Sequence, residues 1–495
     1  MFKSIFTVCI FLQTTICSFA EIINYKAPNC TIISKAYLVK IKEVGSAWQS
    51  PDVYYANVAH SVNNRIAVKK TSYTYFDCSA KVNVSVTVNI TQVKSVKIRP
   101  AAYGIVPQIH GNTITFSMDA SQFVSVEING NIFENLQIFA NTIDTERPTS
   151  GNADLIYFGP GIHEIGRMLL PSNKKVYISG GAIVHGSFII DHAENVKIFG
   201  HGILTQLNVG QESALHENNK STDSVTRRKD AILVQYSKNV GISGIIVMPH
   251  KYSVLIGQSE KVNVKDLKSF SSEGNADGID VFCSKDILLD HIFMRNSDDC
   301  VAVYGHRWDY YGNVKNLTLS NSILWADVAH PILVGTHGDS KNPDTLENIK
   351  FNNVIILNQH ENQIDYQGCM SLNAGDNNLL RDIRFENIAV ESISKGQLIN
   401  IRVMFNHKYN TSPGDGIENV YFKNIHYAGK SANMSIIAGY DEKRGIKNIT
   451  FENLKIADQI ISDDMVNKPS FYKTGDMADI FVGEHVEGLR FIKTE

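Results

Sequence analysis

From about residue 150 to residue 495 the sequence repeats one short pattern, and this repeat limits the possible fold more than any other feature. Each unit opens with Asn, Asp or Lys and continues with alternating apolar residues, as in Asn-Val-Lys-Ile at Asn195. Further copies begin at Lys175, Asn239, Lys261, Asp286, Asn316, Asn348, Asp382, Asn419 and Asn448. Most lie roughly 20 to 37 residues apart without a helical period, and the frame of leucine-rich repeats is absent. We predict a right-handed parallel β-helix of about ten coils, with Asn and Asp at the corners.

The segment before the repeat has a different character. Residues 21–145 contain many short alternating runs separated by Asn, Gly and Ser, which is typical of an antiparallel β-sandwich. Asn129-Gly130 between two such runs indicates a hairpin turn. We therefore predict an all-β chain in which a sandwich precedes the β-helix, joined by a linker that contains Pro148 and Gly151. The sandwich is expected to cover one end of the β-helix, with a carbohydrate-binding module as the alternative.

One stretch of the repeat carries carboxylates that the neighbouring units lack. Asp277 directly precedes the apolar run Gly278–Phe282, and Asp298 and Asp299 precede the similar run Cys300–Tyr304. Equivalent positions on successive coils lie about 4.8 Å apart, so three carboxylates would crowd one patch. Asp beside Gly or Asn is also an ordinary turn residue, but mutual repulsion of three carboxylates costs stability and raises at least one pKa. The stretch predicts an acid/base site.

Aligning the second strand run of each coil places a histidine beside these acids. Asp277, Asp299, His330 and Gly368 fall in one column, with Asp298 one position ahead. An imidazole at the end of a carboxylate column could hold the hydrogen-bond network of the acid or contact a substrate. A structural corner histidine is the alternative interpretation.

The remaining composition limits location and partners. Residues 1–20, with Lys3, an apolar run and Ala20 at the end, are typical of a secretory signal peptide, so we expect a secreted or periplasmic protein. The sequence contains no second apolar segment of about 20 residues, so membrane insertion is not expected. The net charge is −3 and the basic residues are scattered, which argues against nucleic acid as a partner. We expect a monomer that needs no metal or cofactor.

The five cysteines outside the signal peptide divide into two groups. Cys30 and Cys78 could form a disulfide in an exported protein. Cys283, Cys300 and Cys369 lie in or beside strand runs, where a buried cysteine acts as a small apolar residue.

Three motifs of the acidic stretch together resemble those of polygalacturonases, glycoside hydrolase family 28. Asn275-Ala-Asp-Gly278, Ser297-Asp-Asp-Cys300 and the run from His330 to Gly335 are similar to the Asn-Thr-Asp-Gly, Asp-Asp and Gly-His-Gly motifs of that family. The N-terminal sandwich and the run from Tyr157 to His163 instead resemble the dextranases and isopullulanases of family 49. This resemblance covers most of the mature chain and implies a glycosidase that acts on a polysaccharide.

The resemblance also implies roles for the acids. In the inverting scheme of these families, Asp298 is the general acid that protonates the leaving oxygen, and Asp277 and Asp299 hold and deprotonate the attacking water. The residues themselves support this division indirectly. One of three crowded carboxyls must keep a proton near neutral pH, and the middle one, flanked by two anions, is a reasonable site for it.

The substrate prediction rests on a departure from the family pattern. Polygalacturonases carry an Arg-x-Lys pair on the coil after the histidine, where this chain has Met370 and Ser371. We therefore predict a preference for a neutral α-glucan such as dextran. The alternative is a polygalacturonase in which Arg402 or Arg307 replaces the missing pair.

Five residues are predicted to contact the substrate: Asn275, Arg307, Trp308, His337 and Arg402. Aromatic residues beside carboxylates suit stacking on sugar rings, although a long loop can also use them for packing. Two remoter alternatives use the same fold. A polysaccharide lyase would release unsaturated products, and a glycan-binding protein without catalysis would bind without releasing reducing ends.

Overall fold

A computed structural model describes residues 21–63, 65–148, 153–207 and 229–494. The predicted signal peptide and residues 149–152 of the predicted linker lie outside the described residues. The strands form a six-stranded sheet, a four-stranded sheet and a 30-stranded sheet. The first two make the N-terminal part and the third is the solenoid, so the prediction of an all-β chain with a parallel β-helix is confirmed.

The N-terminal strands are β1 (Ile22–Asn24), β2 (Tyr37–Glu43), β3 (Tyr54–Val62), β4 (Arg65–Cys78), β5 (Val82–Val88), β6 (Val96–Arg99), β7 (Gln108–His110), β8 (Thr113–Met118), β9 (Phe123–Ile128) and β10 (Asn131–Asn141). Strands β1, β3, β4, β6, β9 and β10 form one sheet and β2, β5, β7 and β8 the other. Strand β5 alternates buried valines with half-buried polar residues, as expected for a sheet with one face on a core. That core lies between the sheets and includes Val39, Val84 and Ile138.

The first half of the solenoid contains β11 (Leu155–Phe158), β12 (Gly161–Leu169), β13 (Lys175–Ile178), β14 (Ala182–Asp191), β15 (Glu194–Phe199), β16 (Ile203–Thr205), β17 (Ile232–Gln235), β18 (Lys238–Ser243), β19 (Ile246–Met248), β20 (Val254–Gly257), β21 (Glu260–Lys265), β22 (Lys268–Phe270), β23 (Ile279–Phe282), β24 (Lys285–Asp290), β25 (Phe293–Asn296) and β26 (Val301–Tyr304). The second half contains β27 (Val314–Ala326), β28 (Ile332–Gly335), β29 (Thr345–Gln359), β30 (Met370–Ala374), β31 (Leu379–Val390), β32 (Ile399–Val403), β33 (Gly416–Tyr427), β34 (Ser435–Ala438), β35 (Ile446–Glu452), β36 (Leu454–Ile456), β37 (Gln459–Ile461), β38 (Ile480–Val482), β39 (Val486–Glu487) and β40 (Arg490–Ile492). Helical turns occur at Ala101–Tyr103, Ile364–Tyr366 and Thr474–Met477.

The repeated Asn and Asp residues form the corners of the coils. Asn195, Asn316, Asn348 and Asn419 all have φ between 54° and 58°, in the left-handed region that Asn tolerates better than most residues. Their side chains also bond between coils, as where Asn348 Nδ2 donates to Asn316 Oδ1 at 2.7 Å. Buried Val, Ile, Leu and Phe side chains stack inside the solenoid, including the parallel rings of Phe351 and Phe385 at 4.7 Å. The repeat pattern is thus explained by corner conformation and core stacking.

The sandwich packs against the side of the solenoid. Tyr54, Tyr73 and Phe139 of the sandwich share an apolar cluster with solenoid residues such as Phe270 and Trp325. Further members of that cluster are Ile183, Ile246, Phe293, Ile323 and Leu357, which come from successive coils. The expectation that the sandwich covers one end of the stack was wrong, because the lateral face of these coils is itself apolar and needs cover.

The five cysteines of the described residues are free thiols. Cys30 is exposed and Cys78 is buried, so the expected disulfide is not formed. Cys283, Cys300 and Cys369 are buried, as the sequence predicted. Helices in the described part of the chain are too short or too polar to cross a membrane.

Candidate active site

The predicted column of acids and histidine is in register. Ile279 of β23 pairs with Val301 of β26, and Val301 pairs with Ile332 of β28, so Asp277, Asp299 and His330 precede equivalent positions. Gly278 allows the coils to approach here, because a Cβ on it would lie 2.2 Å from the carbonyl oxygen of Cys300.

The three aspartates meet at the start of these strands. Asp277, Asp298 and Asp299 each place one carboxylate oxygen within 4.8 Å of the others. Such a group could hold a cation. It also has the geometry in which carboxyls share protons, because like charges this close raise one another's pKa.

Asp299 is held on both of its oxygens. Oδ1 accepts hydrogen bonds from the His330 backbone N–H at 3.0 Å and from His330 Nδ1 at 2.7 Å. Oδ2 accepts from the Tyr304 hydroxyl at 3.0 Å. The other ring nitrogen of His330, Nε2, donates to the Tyr366 carbonyl, so both ring nitrogens carry protons in this arrangement. The ring therefore orients Asp299 and balances its charge.

The electrostatics separate the acids. Burial, reinforced by the charges of Asp299 and Glu361, raises the pKa of Asp298 to about 7. Burial also raises the pKa of Asp277 well above its ordinary value, while Arg307 opposes this shift. Burial would lower the pKa of His330, but the Asp299 carboxylate more than offsets it and raises the value to about 9. At neutral pH His330 is thus an imidazolium beside Asp299, and the carboxyl of Asp298 is partly protonated.

Sequence reasoning missed a fourth carboxyl, Asp280. It is fully buried beside the cluster, and burial together with the charge of Asp299 raises its pKa well above the ordinary value. Neither of its oxygens accepts a hydrogen bond from an N–H or hydroxyl group within the described part of the chain, but the carboxyl of Asp277 is a hydrogen-bond partner that opposes the rise in its pKa. Strand alternation predicts that Asp280 faces outward from β23, but it does not predict that this side chain is buried.

Asp277, Asp298 and Asp299 line a cleft of about 450 Å³. Of the predicted contacts, Asn275, Arg307 and His337 line this cleft. Burial and the positive charge of Arg307 lower the pKa of His337 to about 3, so its ring is neutral. The cleft is also lined by residues outside the five predicted contacts, namely Ser61, Ile66, Tyr252, Glu361, Gln363, Tyr366, Lys408 and Tyr409.

Two predicted contacts do not line the cleft. Trp308 is 42% exposed and lies beside it, with its ring packed on Phe282 at 5.3 Å and under the Arg307 guanidinium at 4.4 Å. Arg402 donates from Nη1 to the carbonyl oxygen of Asp365 at 2.8 Å. The guanidinium of Arg402 thereby holds the loop that contains Asp365. The ring of Trp308 packs against the guanidinium of Arg307.

The position where polygalacturonases carry their basic pair is buried in this chain and does not reach the cleft. Met370 and Ser371 of β30 are fully buried, and the Ser371 hydroxyl donates to the Gln367 carbonyl at 3.2 Å. Two cations nevertheless reach the cleft from other loops. Arg307 follows β26, and Lys408 follows β32, where its Nζ donates to Gln363 Oε1 at 2.8 Å.

Residues 177–470 match the family model described as glycosyl hydrolases family 28. The probable endopolygalacturonase D of Emericella nidulans is 26% identical over 199 residues, which are 39% of this chain and 34% of that protein. A polygalacturonase of Chamaecyparis obtusa is 24% identical over 308 residues, 54% of this chain and 56% of that protein. The chain thus matches between a third and just over half of the length of these relatives.

Among solved structures, Dex49A from Penicillium minioluteum has the same overall fold. The TM-score is 0.61 at 14% identity, and the match covers 95% of this chain and 96% of that one. At this identity the likeness concerns the fold, including the arrangement of sandwich and solenoid.

Proposed function

This chain belongs to family 28 of the glycosyl hydrolases, and from that premise we propose that it cleaves a galacturonate-containing polysaccharide at the cluster of Asp277, Asp298 and Asp299. The membership makes it a glycosidase, an enzyme that hydrolyses O-glycosyl bonds. The observation that carries the choice of site is the crowding of three carboxyls in which Asp298 has a pKa of about 7.

Asp298 is the proposed general acid. A carboxyl with a pKa near 7 still carries its proton at mildly acidic pH and can transfer it to the leaving oxygen. Half-burial of Asp298 leaves one edge of this side chain open to a substrate in the cleft.

Asp277 is the proposed proton acceptor, with Asp299 as the group that positions the water. Both oxygens of Asp299 already accept hydrogen bonds from His330 and Tyr304, whereas Oδ1 of Asp277 accepts none from the described residues. Burial is the main cause of the raised pKa of Asp277, and the repulsion that adds to it is relieved when Asp298 and Asp280 carry protons. Arg307 then favours the ionised form of Asp277, as a base requires.

Two observations support an acidic substrate. The relatives are described as polygalacturonases, and Arg307 and Lys408 bring positive charge to the cleft although the usual basic pair is replaced. A guanidinium and an ammonium near the sugar carboxylate would offset its repulsion from the aspartates. A galacturonan therefore replaces the neutral glycan as the preferred substrate. The neutral-glycan prediction rested on the absence of a fixed cation at the position of the basic pair, where this chain has Met370 and Ser371.

A neutral α-glucan is the second candidate. It is favoured by the absence of a basic residue at Met370 and Ser371, the position where polygalacturonases place their pair. The likeness to Dex49A concerns the fold and gives no further support to a neutral substrate.

The experiment compares kcat/KM on polygalacturonate for wild type, Arg307→Ala and Lys408→Ala at low and high salt. We expect faster cleavage of polygalacturonate than of dextran, weakened by salt and by each substitution, because exposed charge interactions are screened. Lys430→Ala, which removes an exposed lysine outside the cleft, is the matched control and should change nothing. Faster cleavage of dextran with no salt dependence would favour the second candidate, and ultraviolet-absorbing unsaturated products would indicate a lyase.

The stereochemical outcome needs its own measurement. The resemblance to these families implies inversion, yet the nearest carboxylate oxygens lie within 4.8 Å, closer than the roughly 6.5 to 9.5 Å common between carboxyls of inverting enzymes. Proton NMR of the first product formed should show the inverted anomer. Retention would mean that one of the aspartates attacks the sugar directly.

A further inference from the structure

The hairpin of β3 and β4 extends beyond the sandwich. Strand β10 pairs with β4 only over Ser72–Asp77, and β1 pairs only over Phe76–Cys78. From residue 65 to residue 71, β4 pairs with β3 alone. The outer part of the hairpin is therefore a two-stranded arm, which we call the β3–β4 arm. Such a ribbon is marginally stable by itself and needs contacts along its length.

The contacts of the arm are with the loops that carry the active site. Asn362, between β29 and β30, donates from Nδ2 to the Ser61 hydroxyl oxygen at 2.6 Å. Ile66 Cδ1 lies 3.9 Å from the position that a Cβ would take on Gly274, between β22 and β23. The coils that carry Gly274 and Asn362 bracket those that carry Asp298 and His330. The arm thus runs along four coils, about 14 Å at one strand spacing per coil.

Two residues of the arm face the cleft. Ser61 and Ile66 pair directly across the hairpin and both line the cavity that contains the three aspartates. Ile66 is 40% exposed, an unusual position for a large apolar side chain beside a polar cleft. Its exposed surface and the neighbouring hydroxyl suit the apolar face and the hydroxyl groups of a sugar ring.

We propose that the β3–β4 arm is a wall of the substrate cleft and that Ile66 and Ser61 form a sugar subsite away from the scissile bond. This inference rests on the proposed glycan hydrolysis, and it gives the N-terminal sandwich a part in substrate recognition. The subsite binds the polysaccharide chain and takes no part in proton transfer.

The test uses the full chain and the polymer that wild type cleaves fastest among polygalacturonate, dextran and pullulan. Ile66→Ser should raise KM for the polymer about tenfold with kcat nearly unchanged, because the side chain binds the ligand and does not act on the reacting atoms. Ile66→Val keeps most of the apolar surface and should restore KM. Val68→Ser is the matched control, since Val68 is on the same strand face, is 53% exposed and does not line the cleft.

A second variant removes the subsite without relying on one side chain. Deleting Ser61, Val62, Arg65 and Ile66 shortens the arm by two residues on each strand, so the connecting Asn63-Asn64 and the alternation of faces are kept. The KM for polymer should rise at least as much as in Ile66→Ser, with a smaller rise for a trisaccharide.

Three outcomes would overturn the inference. They are an unchanged KM in both variants, an equal rise with Val68→Ser, and a loss confined to kcat. The proposed substrate is judged separately by which polymer wild type cleaves, so a dextran-cleaving enzyme with an arm-dependent KM would refute the galacturonan proposal alone. If wild type cleaves none of the polymers, equilibrium binding of the same polymers to wild type and Ile66→Ser decides, and equal affinity refutes the subsite.

Discussion

Replacing Asp298 by Asn should make the protein more stable and almost inactive. The pKa of Asp298 rises from its ordinary 3.8 to about 7 in the folded chain, mainly through burial. Three units correspond to about 4 kcal/mol, by which the folded state disfavours the charged carboxylate relative to the unfolded chain. This is an upper limit, because one edge of the side chain remains open to water.

The sign of this effect depends on pH. Below about 3.8 the carboxyl is protonated in both states and costs nothing. As pH rises the unfolded chain loses the proton first, so the penalty on folding grows and is complete above about 7. Asp298→Asn has no charge to bury and should escape the penalty. We expect its melting temperature to exceed that of wild type by about 2 to 5 °C at pH 8 and to match it near pH 3.5.

Activity should move in the opposite direction. Loss of a general acid lowers kcat by about 100- to 10,000-fold, which reducing-end assays on the preferred polymer can measure. Asp458→Asn removes an exposed carboxylate and should change neither quantity. Near wild-type turnover in Asp298→Asn would refute the assignment of the acid. A lower melting temperature at pH 8 would refute the argument that the charged form is disfavoured.

Three further predictions concern the same cluster. The kcat of wild type should fall as pH rises through about 7, because Asp298 then loses the proton it donates, and a rate that keeps rising to pH 9 would contradict this. His330→Gln should lower kcat and destabilise the fold most near pH 6. The raised pKa of His330 adds stability that is complete below pH 6.5 and is lost as pH passes about 9, so melting curves at pH 6 and pH 9 test this. Asp280→Asn should keep activity within about tenfold and raise the melting temperature at pH 8, because burial disfavours the charged form of Asp280. A hundredfold loss of kcat would show that the charge of Asp280 is needed.

The sequence predicted the parts of the fold that follow from local periodicity. Most corners of the coils adopt the left-handed conformation, which Asn and Asp tolerate, and the strands between them need alternating apolar residues for the core. Both requirements leave a visible repeat in the sequence. Because the repeat fixes the register between coils, it also placed Asp277, Asp299 and His330 in one column.

Other parts depend on long connections that no period encodes. Lys408 lies in a loop after a strand, and Ser61 and Ile66 come from more than 200 residues before the acids. The position of Arg402 in the sequence suggested that it could replace the missing basic pair. In the structure its guanidinium instead donates a hydrogen bond to the backbone carbonyl of Asp365.

The most direct test of the account is the rate at which wild type and Asp298→Asn release reducing ends from polygalacturonate and from dextran at pH 6 and low salt. We predict rapid release from polygalacturonate, a much slower rate on dextran, and little release by Asp298→Asn on either polymer. Equal release by both proteins, or rapid release from dextran alone, would contradict the proposed acid or the proposed substrate respectively.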